Sequence, residues 1–274
     1  MEHSVEPVPT KPLPPGLRLL ADLEYVPNGH PRQRLDLYLP EIVSQPLPLL
    51  LWIHGGGWVT GDKAGGPAIQ FATKGFAVAS MNYRFSRHAT FPAQTHDCKA
   101  AVRWLRAHAQ TYGLDAGNFG VWGASAGGHL ASMLGLTAGN AWLEGTLGNA
   151  DQSSSVQAVV DWFGPTDFIT LGPRDTRTQF LGGDALAYPD KANAASPIRY
   201  VNNQACPFFI VHGDHDPLVP YEQSVTFAQA LEDAGAEVTF VTIPGGRHGG
   251  SKFARPDELA RIEAFFKKHL RSGQ

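Results

Sequence analysis

Residues 48–54 read PLLLWIH, an apolar run with no polar residue to mark a solvent face. A strand with one wet face alternates apolar and polar side chains, whereas an unbroken run suits a strand covered on both faces. This feature narrows the choice of fold most, because such a strand needs a packed layer above it and another below. GFAVASMNY (75–83), VQAVVDWF (156–163) and PFFIVHG (207–213) read the same way, NFGVW (118–122) is a shorter strand, and EVTFVTI (237–243) is the last one. RLDLYLP (34–40) alternates Leu35, Leu37 and Leu39 against Asp36 and Tyr38, which predicts a half-buried strand.

Helical patterns lie between these strands. They cover residues 95–112, about Ala126 to Leu136, 221–235 with Gly235 as the stop, and 256–270 with a proline at the start. Strands alternating with helices predict an α/β fold, with a mostly parallel central sheet and helices on both faces. The 274 residues show no repeat and no internal boundary, so one domain is expected over residues 21–274 behind a proline-rich arm at 1–20. Residues 138–155 and 164–206 are less regular and read as loops or a small cap over the C-terminal edge of the sheet, where open α/β sheets bind ligands.

A formal net charge of −3 without a long basic run argues against nucleic acid as a partner. No stretch approaches the ~20 apolar residues of a membrane span. The first residues lack a basic start followed by an apolar core, so a cytoplasmic location is the expectation. Cys98 and Cys206 lie far apart in no metal-like spacing and are expected to be buried free thiols.

The chemistry concentrates in VWGASAGGHL (121–130). A strand runs into Gly123-Ala124-Ser125-Ala126-Gly127 and a helix follows. This is a G-x-S-x-G elbow, which presents a serine hydroxyl at the tip of a sharp turn, beside a helix N-terminus that favours negative charge. Such a hydroxyl needs a base. Among eleven histidines, His54 and His212 end buried strands and read as hydrogen-bonded structural residues, and His129 reads as a packing residue. His3 and His30 lie in irregular N-terminal sequence, His88, His96 and His108 read as solvent-facing or helix-capping residues of the first half, and His269 is on the terminal helix, which leaves His215 and His248. His248 sits between glycines after the last long strand, in a loop able to reach Ser125. HGDHDPLVP (212–220) supplies carboxylates to orient the base: Asp216 is the preferred one, Asp214 its close competitor, with Asp161 and Asp167 as weaker alternatives. HGGGW (54–58) follows a strand and lets backbone N–H groups point into a cavity, so Gly56 or Gly57 together with Ala126 are the expected oxyanion donors. Trp58 is an alternative donor, and its ring is expected to line the acyl or alcohol pocket.

HGGGW, NYR (82–84), FPAQTHDCKAAVRWLR (91–106), GASAGGHLA (123–131), GPTDF (164–168) and HGDHDPLVP together resemble the α/β-hydrolase superfamily, in the esterase/lipase branch with an HGGG oxyanion loop. More narrowly they resemble the BD-FAE-like (bifunctional feruloyl/acetyl esterase-like) group over roughly residues 20–270. The resemblance implies an α/β-hydrolase catalytic domain with the chain order Ser125, Asp216, His248. It implies a serine carboxylic-ester hydrolase for short-chain acyl or feruloyl and acetyl esters, working through an acyl-enzyme without metal or organic cofactor on a small-molecule or carbohydrate-linked substrate. Kynurenine formamidases share an HGG-x-W loop, which keeps formamide hydrolysis as an alternative. A catalytically silent binding protein on the same fold is another.

Overall fold

The computed structural model describes residues 13–270. Eight strands form one sheet: β1 (Leu17–Glu24), β2 (Arg34–Pro40), β3 (Leu47–Ile53), β4 (Ala77–Met81), β5 (Leu114–Ala124), β6 (Ala158–Trp162), β7 (Phe208–Gly213) and β8 (Val238–Ile243). Their spatial order is β1-β2-β4-β3-β5-β6-β7-β8. β2 pairs antiparallel with β1 and β4, and all other neighbours are parallel. The α-helices are α1 (Ala93–Ala107), α2 (Ala109–Tyr112), α3 (Ala126–Leu136), α4 (Ala141–Glu144), α5 (Asp175–Leu181), α6 (Pro189–Ala194), α7 (Glu222–Asp233) and α8 (Pro256–His269).

β3 carries the apolar run, and every one of its residues is buried. Leu49, Leu51 and Ile53 pack into a layer with Leu105 of α1, Leu130 of α3 and Leu231 of α7. Leu50 and Trp52 pack into the opposite layer with Ile262 and Phe266 of α8. Each fully buried leucine contributes about 2 kcal/mol, so two-sided burial holds β3 at the centre of the sheet.

Three expectations need correction. β2 is not half-buried: Asp36 and Tyr38 are buried along with its leucines. Tyr38 joins the second core layer, and Asp36 meets the Lys63 ammonium at 2.7 Å and accepts the Asp22 N–H at 2.9 Å. A polar residue in an alternating strand can be buried when a distant partner satisfies it. The helix expected over 95–112 breaks at His108 into α1 and α2, and Gly113 in a left-handed conformation (φ 68°) closes α2. β1 has no counterpart in the sequence reading. It is a mostly exposed edge strand with an irregularity between Leu20 and Leu23, so its apolar residues do not alternate. Residues 17–20, expected in the arm, are its first half, and residues 1–12 lie outside the described part.

Cys98 is buried, Cys206 is partly buried, and both are free thiols. Among the described residues no helix is long and apolar enough to cross a membrane. Because β3 and β5–β8 run the same way, the segments following them open at one edge of the sheet, and the candidate site lies there.

Candidate active site

Ser125 sits between β5 and α3 at φ 55°, ψ −120°, a conformation that costs an L-residue roughly 1–3 kcal/mol. Backbone bonds on both sides hold it there. Its N–H donates to Trp162 O at 2.8 Å, and its carbonyl accepts the His129 N–H at 3.0 Å. The flanking glycines are explained by close approach. A Cβ on Gly123 would lie 2.0 Å from Gly127 O, and one on Gly127 would lie 2.1 Å from Ile53 O.

His248 reaches this turn from the loop after β8. Its Nε2 is 2.8 Å from Ser125 Oγ, and its Nδ1 is 2.6 Å from Asp216 Oδ2. With Nδ1–H donating to the carboxylate, Nε2 is the lone-pair nitrogen facing the hydroxyl. Burial opposes ionisation of Asp216. Hydrogen bonds from His212, His248 and the Val219 and Leu218 N–H groups outweigh it and hold the carboxyl well below the usual range. The other carboxylates point elsewhere. Asp214 accepts from His215 Nδ1–H and the Gly245 N–H. Asp161 accepts from Ser132 Oγ–H and the Gly164 N–H, and burial raises it to about 6. Asp167 pairs with Arg199. His215, the other histidine left open by the sequence, is 72% exposed at its side chain, and among the described residues its side chain engages only Asp214.

His212 does more than the sequence indicates. Its Nδ1 meets Ser224 Oγ at 2.7 Å, and its Nε2–H donates to Asp216 Oδ2 at 3.1 Å. One carboxylate oxygen thus takes two imidazole N–H groups, while Oδ1 takes the N–H groups of Leu218 and Val219. The four-residue spacing from His212 to Asp216 was the only clue, and it does not fix where the ring points.

The HGGGW loop lies against the elbow. A Cβ on Gly55 would sit 2.8 Å from Ala124 O and 3.4 Å from the Ser125 Cβ. Gly56 O accepts the N–H groups of Val59 and Thr60, each at 3.1 Å, which folds the loop into a tight turn. Among the described residues, no protein acceptor takes the N–H of Gly56, Gly57, Trp58 or Ala126. His54 braces the loop from below: Nδ1–H donates to Gly55 O at 2.7 Å, and Nε2 receives Arg32 Nη2–H at 3.2 Å. The Trp58 ring also packs inward. Trp58 borders the cleft but is 3% exposed, with its ring stacked on Phe180 at 4.3 Å and edge-on to His129 at 5.4 Å. The ring therefore anchors the loop to the core, while Trp58 stands among the residues that line the cleft.

The cleft over Ser125 has a volume of about 710 Å³. Phe163, Pro165, Leu218 and Val219 make it apolar near His248, and the segment Arg174–Arg177 at the start of α5 forms one wall. Residues 164–206 thus supply part of a cap, whereas 138–155 supply none of the lining.

Burial keeps two nearby histidines neutral, lowering His54 and His129 each to about 4. Unfolded, both take up a proton near 6.5, so between these values the unfolded chain binds more protons and stability falls as pH falls. The loss is about 3 kcal/mol per residue by pH 4. Melting temperature by circular dichroism should therefore drop steadily from pH 7 to pH 4. A flat profile over that range would contradict the neutral burial of these rings.

A family model described as BD-FAE matches residues 35–231, well over half of the chain. The chain belongs to the BD-FAE family. The matched BD-FAE segment includes Ser125 and Asp216, and His248 lies beyond its end. Esterase LipC of Mycobacterium tuberculosis is 33% identical over 231 residues, covering 80% of this chain and 57% of LipC. The chain thus spans little more than half the length of that curated relative. A carbohydrate esterase from gut microbiota, solved in truncated form, superposes with a TM-score of 0.87 at 32% identity, covering 92% of this chain and 96% of that one. The Thermogutta terrifontis esterase Est2 gives a TM-score of 0.75 at 26% identity, covering 93% and 92%. The fold is that of the α/β-hydrolase esterases.

Proposed function

We propose that this chain is a serine carboxylic-ester hydrolase acting on short-chain esters, with Ser125 as nucleophile, His248 as base and Asp216 as the group that orients it. The observation that carries the reading is the continuous hydrogen-bonded line Ser125 Oγ–His248–Asp216 beside four free backbone N–H groups. His248 Nε2 takes the hydroxyl proton as Oγ attacks the ester carbonyl. The charge that develops on the carbonyl oxygen meets the Ala126 N–H and those of Gly56 and Gly57, with Trp58 as the alternative loop donor. His248 then protonates the departing alcohol. Water, activated by the same imidazole, releases the acid from Ser125.

Short acyl groups are favoured because the cleft is walled closely by the HGGGW loop and α5: a Cβ on Gly57 would already stand 3.2 Å from Thr176. Est2 has been solved with propionate and with butyrate bound, which supports the same size class. Likeness to a carbohydrate esterase supports acetyl or feruloyl esters on sugars as the natural form. The test is a panel of p-nitrophenyl esters, methyl ferulate, acetylated xylan and N-formylkynurenine. Acetate to butyrate should exceed dodecanoate by roughly tenfold or more in kcat/KM. A preference for dodecanoate would overturn the size assignment. Faster hydrolysis of the formamide than of any ester would move the chain to the arylformamidases. A protein that turned over nothing and took no label from a serine-directed phosphonate would be a binding module.

A further inference from the structure

Four lysine or arginine residues are buried among the described residues: Lys63, Lys99, Arg103 and Arg177. Three of them meet carboxylates, Lys63 at Asp36 and Asp22, Lys99 and Arg103 at Glu144, all within 3.0 Å. Arg177 does not, and it is the one that lines the cleft over Ser125. Its Nη1 donates to Leu171 O at 2.6 Å and Gly172 O at 2.8 Å, and its Nη2 donates to Leu218 O at 2.7 Å. A guanidinium has five N–H groups, so two are left without an acceptor among the described residues. Arg174 stands on the same wall. It is exposed, and its one bond among the described residues is a long 3.4 Å contact to Pro217 O. No carboxylate among the described residues lies within 4.0 Å of either guanidinium, and Asp175 between them pairs with neither. Burial, then repulsion from Arg174, lowers Arg177 to about 10. A buried cation is normally paired, because an unpaired charge out of water is costly.

The wall is close to the chemistry. Thr176, between the two arginines, packs on Gly57 of the HGGGW loop, and Leu218, which receives Arg177, is two residues from Asp216. Building on the ester-hydrolase reading above, we infer that the cleft selects esters carrying a carboxylate, which Arg174 and Arg177 bind while Ser125 attacks the ester carbonyl. Guanidinium groups match a planar carboxylate through paired N–H donors. The bonds made and broken are those of ordinary ester hydrolysis, one water consumed per acid and alcohol released, and the bound carboxylate is unchanged.

The test compares matched pairs in which only the anion differs. Monomethyl succinate against methyl butyrate places the charge on the acyl side, and para-acetoxybenzoate against para-tolyl acetate places it on the alcohol side, each corrected for its rate with hydroxide. In at least one pair the anionic ester should show a kcat/KM higher by about tenfold or more at low salt. The advantage should lie mainly in KM and shrink as salt is raised. Arg174→Gln and Arg177→Gln should each reduce the anionic-to-neutral ratio, and Arg174→Glu should bring it below one. Arg174→Glu carries the test alone if Arg177→Gln fails to fold. Neutral esters hydrolysed as fast as or faster than their anionic partners in both pairs would overturn the inference and leave the hydrolase reading standing, as would a ratio indifferent to Arg174→Glu. Hydrolysis of none of the four would overturn both.

Discussion

Ser125→Ala should retain the fold and lose activity on p-nitrophenyl acetate by about 10⁴–10⁶-fold in kcat. The fold should survive because Ser125 is held through its backbone, N–H to Trp162 O and carbonyl from His129 N–H, and not through its hydroxyl. The φ of 55° is equally demanding of serine and alanine, so the strain stored at the elbow does not change. Among the described residues the hydroxyl's one partner is His248 Nε2, the nitrogen that must accept its proton. A melting temperature within a few degrees of the parent, together with loss of the phosphonate adduct by mass spectrometry, would separate lost chemistry from lost structure. Turnover near that of the parent by a clean preparation would remove Ser125 as nucleophile.

Asp216→Asn should cost about 10³–10⁴-fold in kcat, far more than Asp214→Asn. In the parent, Oδ2 accepts from both His248 Nδ1–H and His212 Nε2–H, while Oδ1 serves the Leu218 and Val219 N–H groups. An amide has one oxygen for these two sets of donors. Either the loop N–H groups lose their acceptor, or an NH₂ group confronts two imidazole N–H groups. His248 then shifts to the tautomer with hydrogen on Nε2 and can no longer take the serine proton. Asp214 is partly exposed, with partners His215 and the Gly245 N–H, so its amide should change activity by less than about fivefold. The opposite ranking in kcat would transfer the orienting role to Asp214. Equal small losses would leave His248 without the partner proposed for it.

The features that could be read in advance are those whose cause is local. The two-sided burial of β3 is written in seven consecutive residues. The elbow requires a strand, small residues where backbones nearly touch, and a helix, all within residues 118–136, so its sterics leave a continuous trace in the chain. Strand–helix alternation then leaves little choice but a parallel sheet whose loops share one edge.

Contacts between distant segments left no such trace. Asp36 looked solvent-facing because its partner, Lys63, lies twenty-seven positions away. The inward packing of the Trp58 ring was not legible, because its partners, Phe180 and His129, come from distant helices. β1 was invisible because an exposed edge strand is held by backbone pairing to β2, which imposes no side-chain period. Sequence favoured Asp216 over Asp214 in the same loop and kept Asp161 and Asp167 as weaker alternatives, but which carboxylate meets His248 depends on how the β7 and β8 loops close on each other. The unpaired charge of Arg177 could not be foreseen at all, since a missing partner is a property of the whole surrounding shell. Steric and hydrophobic periodicity act between near neighbours and determined the architecture from sequence alone. Hydrogen bonds and charge compensation act between whichever groups the fold brings together, and only the tertiary structure decided those.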